Sequence, residues 1–178
     1  MRRVASAAEG MAIPDRHGKP AGTYFVPSRT WENRTLFTKP TACEIFVRTL
    51  LHYRSEGVYS LQAFVLMPEH FHILLTPSPY MTLERAVQYI KGGAAHSIRK
   101  ELQYRFPIWQ RGFSDHRIRN AADYESHLLY IDQNPVKRGL VVILQDYSWS
   151  SASGRFALDD RPQRLKPSGV MFTALRHG

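Results

Sequence analysis

The chain has 178 residues, 43% of them hydrophobic and 12% aromatic, which fits one globular domain with an ordinary core and excludes a disordered chain. Lys and Arg number 24 against 15 Asp and Glu, a formal charge of +9, and that excess points to a polyanionic partner, because basic grooves gain affinity by releasing phosphate counterions. No apolar run is long enough for a membrane span, and the single cysteine, Cys43, excludes an internal disulfide.

These features predict a soluble cytoplasmic protein in a reducing compartment. At the start, Met1-Arg2-Arg3 is followed by small residues, and Glu9 and Gly10 interrupt before any apolar stretch forms. Residues 1–22 are therefore expected to be a flexible tail rather than a signal peptide. Arg2 and Arg3 are candidates for contacts from that tail.

Thr23 to Ser28 (TYFVPS) predicts a first strand, irregular at its end where Pro27 sits. Arg29 to Pro40 is a polar connection. Thr41, with Glu44 three residues later, has the form of a capping box, and Ile45, Phe46, Leu50 and Leu51 follow at helical spacing until Gly57. Cys43 lies in that helix and is expected as a buried small hydrophobe. Tyr59 to Met67 is apolar on both faces, as for a buried strand; Pro68-Glu69 turns the chain, and His70 to Thr76 alternates as the next strand.

Thr82 is placed to cap a long helix whose apolar stripe is Leu83, Val87, Ile90, Ala94, Ile98 and Leu102. Within it, Gly92-Gly93 points to close packing or a bend. Trp109 to Arg119 contains a further strand. Ala122 to Gln133 forms a further helix, ended at Asn134-Pro135. The first six elements read βαββαβ, which predicts a ferredoxin-like α+β sandwich with an antiparallel sheet, and the last helix is an addition to it. Residues 150–178, rich in Ser, Gly, Pro and charge, are expected to be a tail that is poorly packed or conditionally and partly ordered. That leaves a domain over residues 23–149.

The chemistry concentrates in two places. In His70-Phe71-His72, the period of two puts both imidazoles on one face of a strand, with Phe71, Ile73 and Leu75 on the other. Such a pair can chelate one ion. Taken singly, it also fits two surface histidines. In the last helix, Tyr130 and Asn134 are four residues apart and share a face, while Tyr124, His127 or Leu128, and Ile131 carry the core stripe. A phenol with a free pKa of about 10 is a poor nucleophile unless a metal neutralises its electrophile. Asn134 can offer a carbonyl oxygen as a third metal ligand. Taken singly, Tyr130 and Asn134 also fit structural roles.

Their joint spacing is more specific. The string MPEHFHILL (Met67 to Leu75) resembles the motif of two histidines around a hydrophobic residue in the single-tyrosine HUH transposases. The strings IWQRGFSDHRIRN (Ile108 to Asn120) and YIDQNPVKRGL (Tyr130 to Leu140) resemble one branch of these, the REP-associated tyrosine transposases. The match runs in motif order from about Thr23 to Trp149. The resemblance implies that His70, His72 and Asn134 hold Mg²⁺ or Mn²⁺ and that Tyr130, on the added C-terminal helix, is the nucleophile. It also places a family histidine of undetermined role on His116. The implied reaction is metal-dependent cleavage and rejoining of single-stranded DNA carrying repeat hairpins, through a 5′-phosphotyrosine link.

The expected partner is single-stranded or hairpin DNA, bound by a monomer or homodimer on the nucleoid, with no membrane association. Lys91, Arg111, Arg117, Arg119, Lys137 and Arg138 are the candidate DNA contacts, interleaved with Tyr104, Phe106, Trp109 and Phe113. Two other classes remain open: a domesticated hairpin-DNA-binding protein without turnover, and a metal-dependent phosphodiesterase acting on small nucleotides or RNA.

Overall fold

The protein is described from a computed structural model covering residues 22–166. The predicted contacts of Arg2 and Arg3, and the tail beyond Lys166, lie outside the described residues. The elements are β1 (Tyr24–Arg29), α1 (Pro40–Ser55), β2 (Tyr59–Met67), β3 (His70–Pro77), α2 (Leu83–Leu102), β4 (His116–Arg117) and α3 (Ala121–Lys137), with short 3₁₀ turns between and after them. The four strands form one antiparallel sheet in the order β2-β3-β1-β4. This is the α+β sandwich expected from the element order.

Helices α1 and α2 cover one face of the sheet and α3 the other. Phe46, Leu50, Val87 and Ile90 meet Val26, Phe71, Ile73 and Leu75 in the larger core. Tyr124 and Ile131 of α3 meet Ala63, Val65, Met67 and Leu74 in the smaller one. One irregularity in β2 reconciles the two. Its register against β3 shifts between Leu61 and Ala63, so Gln62 is the extra residue of a bulge. Before it, odd-numbered Tyr59 and Leu61 face α1 and α2; after it, even-numbered Phe64 and Leu66 do. Ala63, Val65 and Met67 are thereby turned toward α3.

Four sequence expectations are corrected. The capping box at Thr41 does not form: the cap is Lys39, two residues earlier and without a side-chain bond, and Pro40 is in the first turn of α1. Proline's fixed φ suits that first position and needs no N–H there. The predicted strand within Trp109 to Arg119 is reduced to His116–Arg117 plus an isolated bridge from Trp109 to Thr30. Between them the Lys91 ammonium donates to the carbonyls of Gln110 and Gly112.

That gap accounts for Pro27 in an inner strand. The carbonyls of Thr23 and Arg29 accept from Ile118 and Gln110 on the β4 side, so Pro27 faces the same side, where no ladder bond is required of it.

Third, α3 does not stop at Asn134-Pro135. It continues to Lys137 and ends on Gly139, at φ 66°. Leu140 N–H bonds the Pro135 carbonyl and Gly139 N–H bonds that of Val136, the paired bonds of a Schellman ending. Asn134 therefore sits inside the helix, one turn beyond Tyr130.

Fourth, of the segment after Trp149, expected to be poorly packed or partly ordered, the part as far as Lys166 is packed. Leu66 N–H donates to Trp149, Ser151 hydrogen-bonds Phe64, and Asp159 accepts from Leu61 N–H at 2.7 Å. Arg54 grips the same Asp159 carboxylate with two bonds of 2.8 Å. Together these cover the outer edge of β2. Among the described residues, no helix is long and apolar enough to cross a membrane.

Candidate active site

The site lies on the α3 face of the sheet, where the alternation of β3 leaves His70 and His72 opposite the core. A cleft of about 240 Å³ is lined by Pro27, Ser28 and Arg29 of β1, His70 and His72 of β3, Tyr130, Asn134 and Lys137 of α3, and Arg138 just beyond it. The two imidazoles are 4.7 Å apart between ring centroids, and the Tyr130 ring is 5.1 Å from His72. Both predicted halves are thus assembled within one chain. Tyr130 remains 42% exposed, open to a ligand entering from solvent. His70, His72 and Asn134 are buried.

The donors fit a cation. Neither ring nitrogen of His72 has a hydrogen-bond partner among the described residues, although both are buried. Orphaned buried nitrogens are costly, and a cation bound there would satisfy one of them. Burial pushes the His72 pKa down to about 3, with the nearby His70 and Arg29 charges acting the same way. Burial likewise lowers His70, against the opposing pull of Glu69. Both rings are therefore neutral at physiological pH and keep a lone pair for a metal. His70 Nδ1 lies 3.0 Å from Glu69 Oε1, which leaves Nε2 as its free donor.

Aromatic packing sets the Tyr130 ring. Phe25, on β1, stacks on His72 at 5.2 Å and meets Tyr130 edge-on at 5.8 Å. The Lys137 ammonium is 5.9 Å from the Tyr130 ring centroid, placing positive charge beside the phenol.

The other candidate residues fall elsewhere. Lys137 and Arg138 are at the cleft, whereas Lys91, Arg111, Arg117 and Arg119 do not line it. Lys91 is occupied with the carbonyls of Gln110 and Gly112. His116 lies in β4, and its Nε2 is 2.9 Å from Asp123 in the first turn of α3. Asp123 also accepts from Arg119 N–H, and its own N–H bonds the Asn120 cap. His127 stacks on His116 at 4.6 Å and reaches the same carboxylate at 3.1 Å. Burial would raise the Asp123 pKa, but Arg119 N–H and the two histidines outweigh it and hold it below the usual range. The donor atoms of His116, Asp123 and His127 lie within 4.8 Å of one another.

Sequence reasoning missed Phe25, Arg29, Glu69 and Asp123. Glu69 immediately precedes the histidine pair, and Asp123 lies four residues before His127 on a helix. Those spacings were the available signals.

The sequence matches the family described as "Transposase IS200 like" over residues 28–134, a span that holds both histidines, Tyr130 and Asn134. It is 28% identical over 148 residues to the REP-associated tyrosine transposase of Escherichia coli K12, covering 76% of this chain and 87% of that protein. The fold is similar to a solved structure of a REP-associated tyrosine transposase bound to a REP hairpin, with a TM-score of 0.64 and 27% identity, covering 89% of this chain and 96% of the other. With the histidine pair and the tyrosine helix meeting in the matched span, this chain belongs to the IS200-like transposase family.

Proposed function

We propose that the protein cleaves and rejoins single-stranded DNA next to repeat hairpins, with Tyr130 as nucleophile and His70, His72 and Asn134 as ligands of Mg²⁺ or Mn²⁺. The observation that carries this reading is one cleft holding an exposed tyrosine, two buried histidines, an asparagine and a basic rim. The relative whose structure contains a REP hairpin supports hairpin DNA as the substrate class. A divalent ion held there would neutralise charge on the non-bridging phosphate oxygens.

The chain's own groups supply the rest. Arg29 and Lys137, at the rim, attract the phosphate backbone. The Tyr130 oxygen bonds to phosphorus as the bond to the 3′-side oxygen breaks. The phenol gives up its proton and the departing oxygen gains one, leaving a free 3′-OH and a 5′-phosphotyrosine. One phosphoester replaces another, so a 3′-OH can reverse the step and join a new strand without ATP. Phe25 and His72 hold the ring against the sheet, so little conformational freedom is lost at attack.

The test uses a labelled hairpin with a single-stranded flank and Mn²⁺ or Mg²⁺. Wild type should give a covalent protein–DNA species that resists denaturant, and Tyr130→Phe should bind the same DNA without forming it. An adduct with Tyr130→Phe would refute the nucleophile assignment. Binding without any adduct from wild type would point to a hairpin-binding protein, and hydrolysis without an adduct to a phosphodiesterase.

A further inference from the structure

One carboxylate oxygen joins the two halves of the site. Glu69 lies in the Pro68-Glu69 turn between β2 and β3 and is 8% exposed. Its Oε1 is 3.0 Å from His70 Nδ1 and accepts from Arg138 Nη2 at 2.8 Å. The backbone beneath it is fixed as well. Thr30 N–H donates to the Glu69 carbonyl at 2.9 Å, and the Thr30 hydroxyl lies 2.9 Å from the same oxygen.

Each partner belongs to a different half. His70 is on the strand that carries the histidine pair. Arg138 follows the last residue of α3, four positions past Asn134 and eight past Tyr130, and its N–H bonds the Asn134 carbonyl. We infer that Glu69 is the positioning residue that couples metal-ligand orientation to the placement of the nucleophile helix. This rests on the function proposed above and adds a residue to it.

The physical reasons are separate for the two contacts. By accepting from Nδ1, Glu69 fixes the His70 tautomer with Nε2 free, and its negative charge makes that nitrogen a better donor. By holding the guanidinium, it pins the C-terminal end of α3 at the depth of β3. The start of α3 is tied to β4 through Asp123 and His116, and its body packs on the sheet through Leu128 and Ile131, apolar contacts that resist sliding poorly. A charge-assisted bond at the helix end fixes that coordinate.

Because both contacts use one oxygen, their loss should be non-additive. Glu69→Gln, Arg138→Met and the double variant are compared with wild type. Mn²⁺ binding to the full chain without DNA is read from the electron paramagnetic resonance signal of free Mn²⁺. Single-turnover adduct formation on the hairpin substrate is then measured at saturating Mn²⁺.

Glu69→Gln is expected to weaken Mn²⁺ binding by about 10- to 100-fold. Arg138→Met should leave Mn²⁺ binding nearly unchanged and slow adduct formation by about 10-fold, since a displacement of ~1 Å is enough for that. Arg138→Lys, which keeps a charged donor, should recover part of the rate. The double variant should be no slower than the slower single variant.

Wild-type Mn²⁺ binding and adduct rate in Glu69→Gln would overturn the inference, as would rate losses that multiply in the double variant. Arg138 is exposed enough to be replaced without unfolding the chain, so its arm holds even if Glu69→Gln folds poorly. If wild type itself forms no adduct, the proposed reaction fails, while the Mn²⁺ arm still decides the contact between Glu69 and His70.

Discussion

His72 is 6% exposed, has no hydrogen-bond partner among the described residues, and is pushed by burial to a pKa of about 3. In the unfolded chain the same imidazole titrates near 6.5. Below about pH 6.5 the unfolded state therefore binds a proton that the folded state refuses. Stability from this group is full above that pH and falls as the pH drops toward 3. Each unit is worth ~1.4 kcal/mol, so the loss at about pH 5 relative to about pH 8 is about 2 kcal/mol. Urea unfolding across that range, with EDTA present, measures the total dependence. His72→Phe isolates the share of this ring. The Phe ring can stack on Phe25 and carries no nitrogen, so its curve should be flatter by about 2 kcal/mol at the acid end. Near pH 8 the variant should be at least as stable as wild type, because two orphaned nitrogens are gone. His70 is depressed as well and adds a slope of the same sign in both proteins. Parallel curves would refute the reasoning, since they would mean that His72 is protonated without unfolding.

Three further outcomes follow from the packing. A Cβ on Gly93 would stand 2.7 Å from Tyr53 Cε2 and 3.0 Å from Thr49 Cγ2, whereas one on Gly92 meets nothing within 4 Å. Gly92→Ala should thus stabilise by up to ~1 kcal/mol and Gly93→Ala should destabilise by about 1 kcal/mol, in urea titrations at neutral pH; the reverse order would refute the close approach of α1 and α2. Asp123→Ala removes the acceptor for Arg119 N–H and the hydrogen-bond partner of His116, and should cost about 1–2 kcal/mol in the same assay. An unchanged midpoint would show that the α3 start is held by other contacts. Asp159→Ala should cost more than Arg54→Ala, because it also strands Leu61 N–H, and a double-mutant cycle should give a coupling of about 1 kcal/mol. Equal single losses with no coupling would contradict this arrangement.

How much of the molecule could be read beforehand depends on the range of the interactions concerned. Alternation placed His70 and His72 together opposite Phe71, Ile73 and Leu75, because the pleat is a local property. The i, i+4 relation of Tyr130 and Asn134 was equally local. The end of α3 was misplaced because Pro135 is a strong local stop signal, while the bonds that close the helix on Gly139 come from beyond it. β4 was overestimated because carbonyls of that segment are spent on Lys91, some twenty residues away, rather than on a neighbouring strand. For Glu69, adjacency to His70 was a local signal, but its contact with Arg138 crosses 69 positions of sequence and left none. Polar composition after Trp149 concealed the few residues, Ser151, Asp159 and Leu165, that fasten the segment down.

The strap along the outer edge of β2 has a practical consequence for cutting the gene. Residues 28–134 contain every group of the cleft except Pro27, Lys137 and Arg138, and they would be the obvious fragment to express. Such a fragment loses the start of β1 and leaves Phe64 and Leu66 on a bare strand with open backbone donors, a template for joining the same strand of another copy. The smallest piece that stays dispersed in solution should therefore run from about Thr23 past Leu165, well beyond the last residue that takes part in the chemistry.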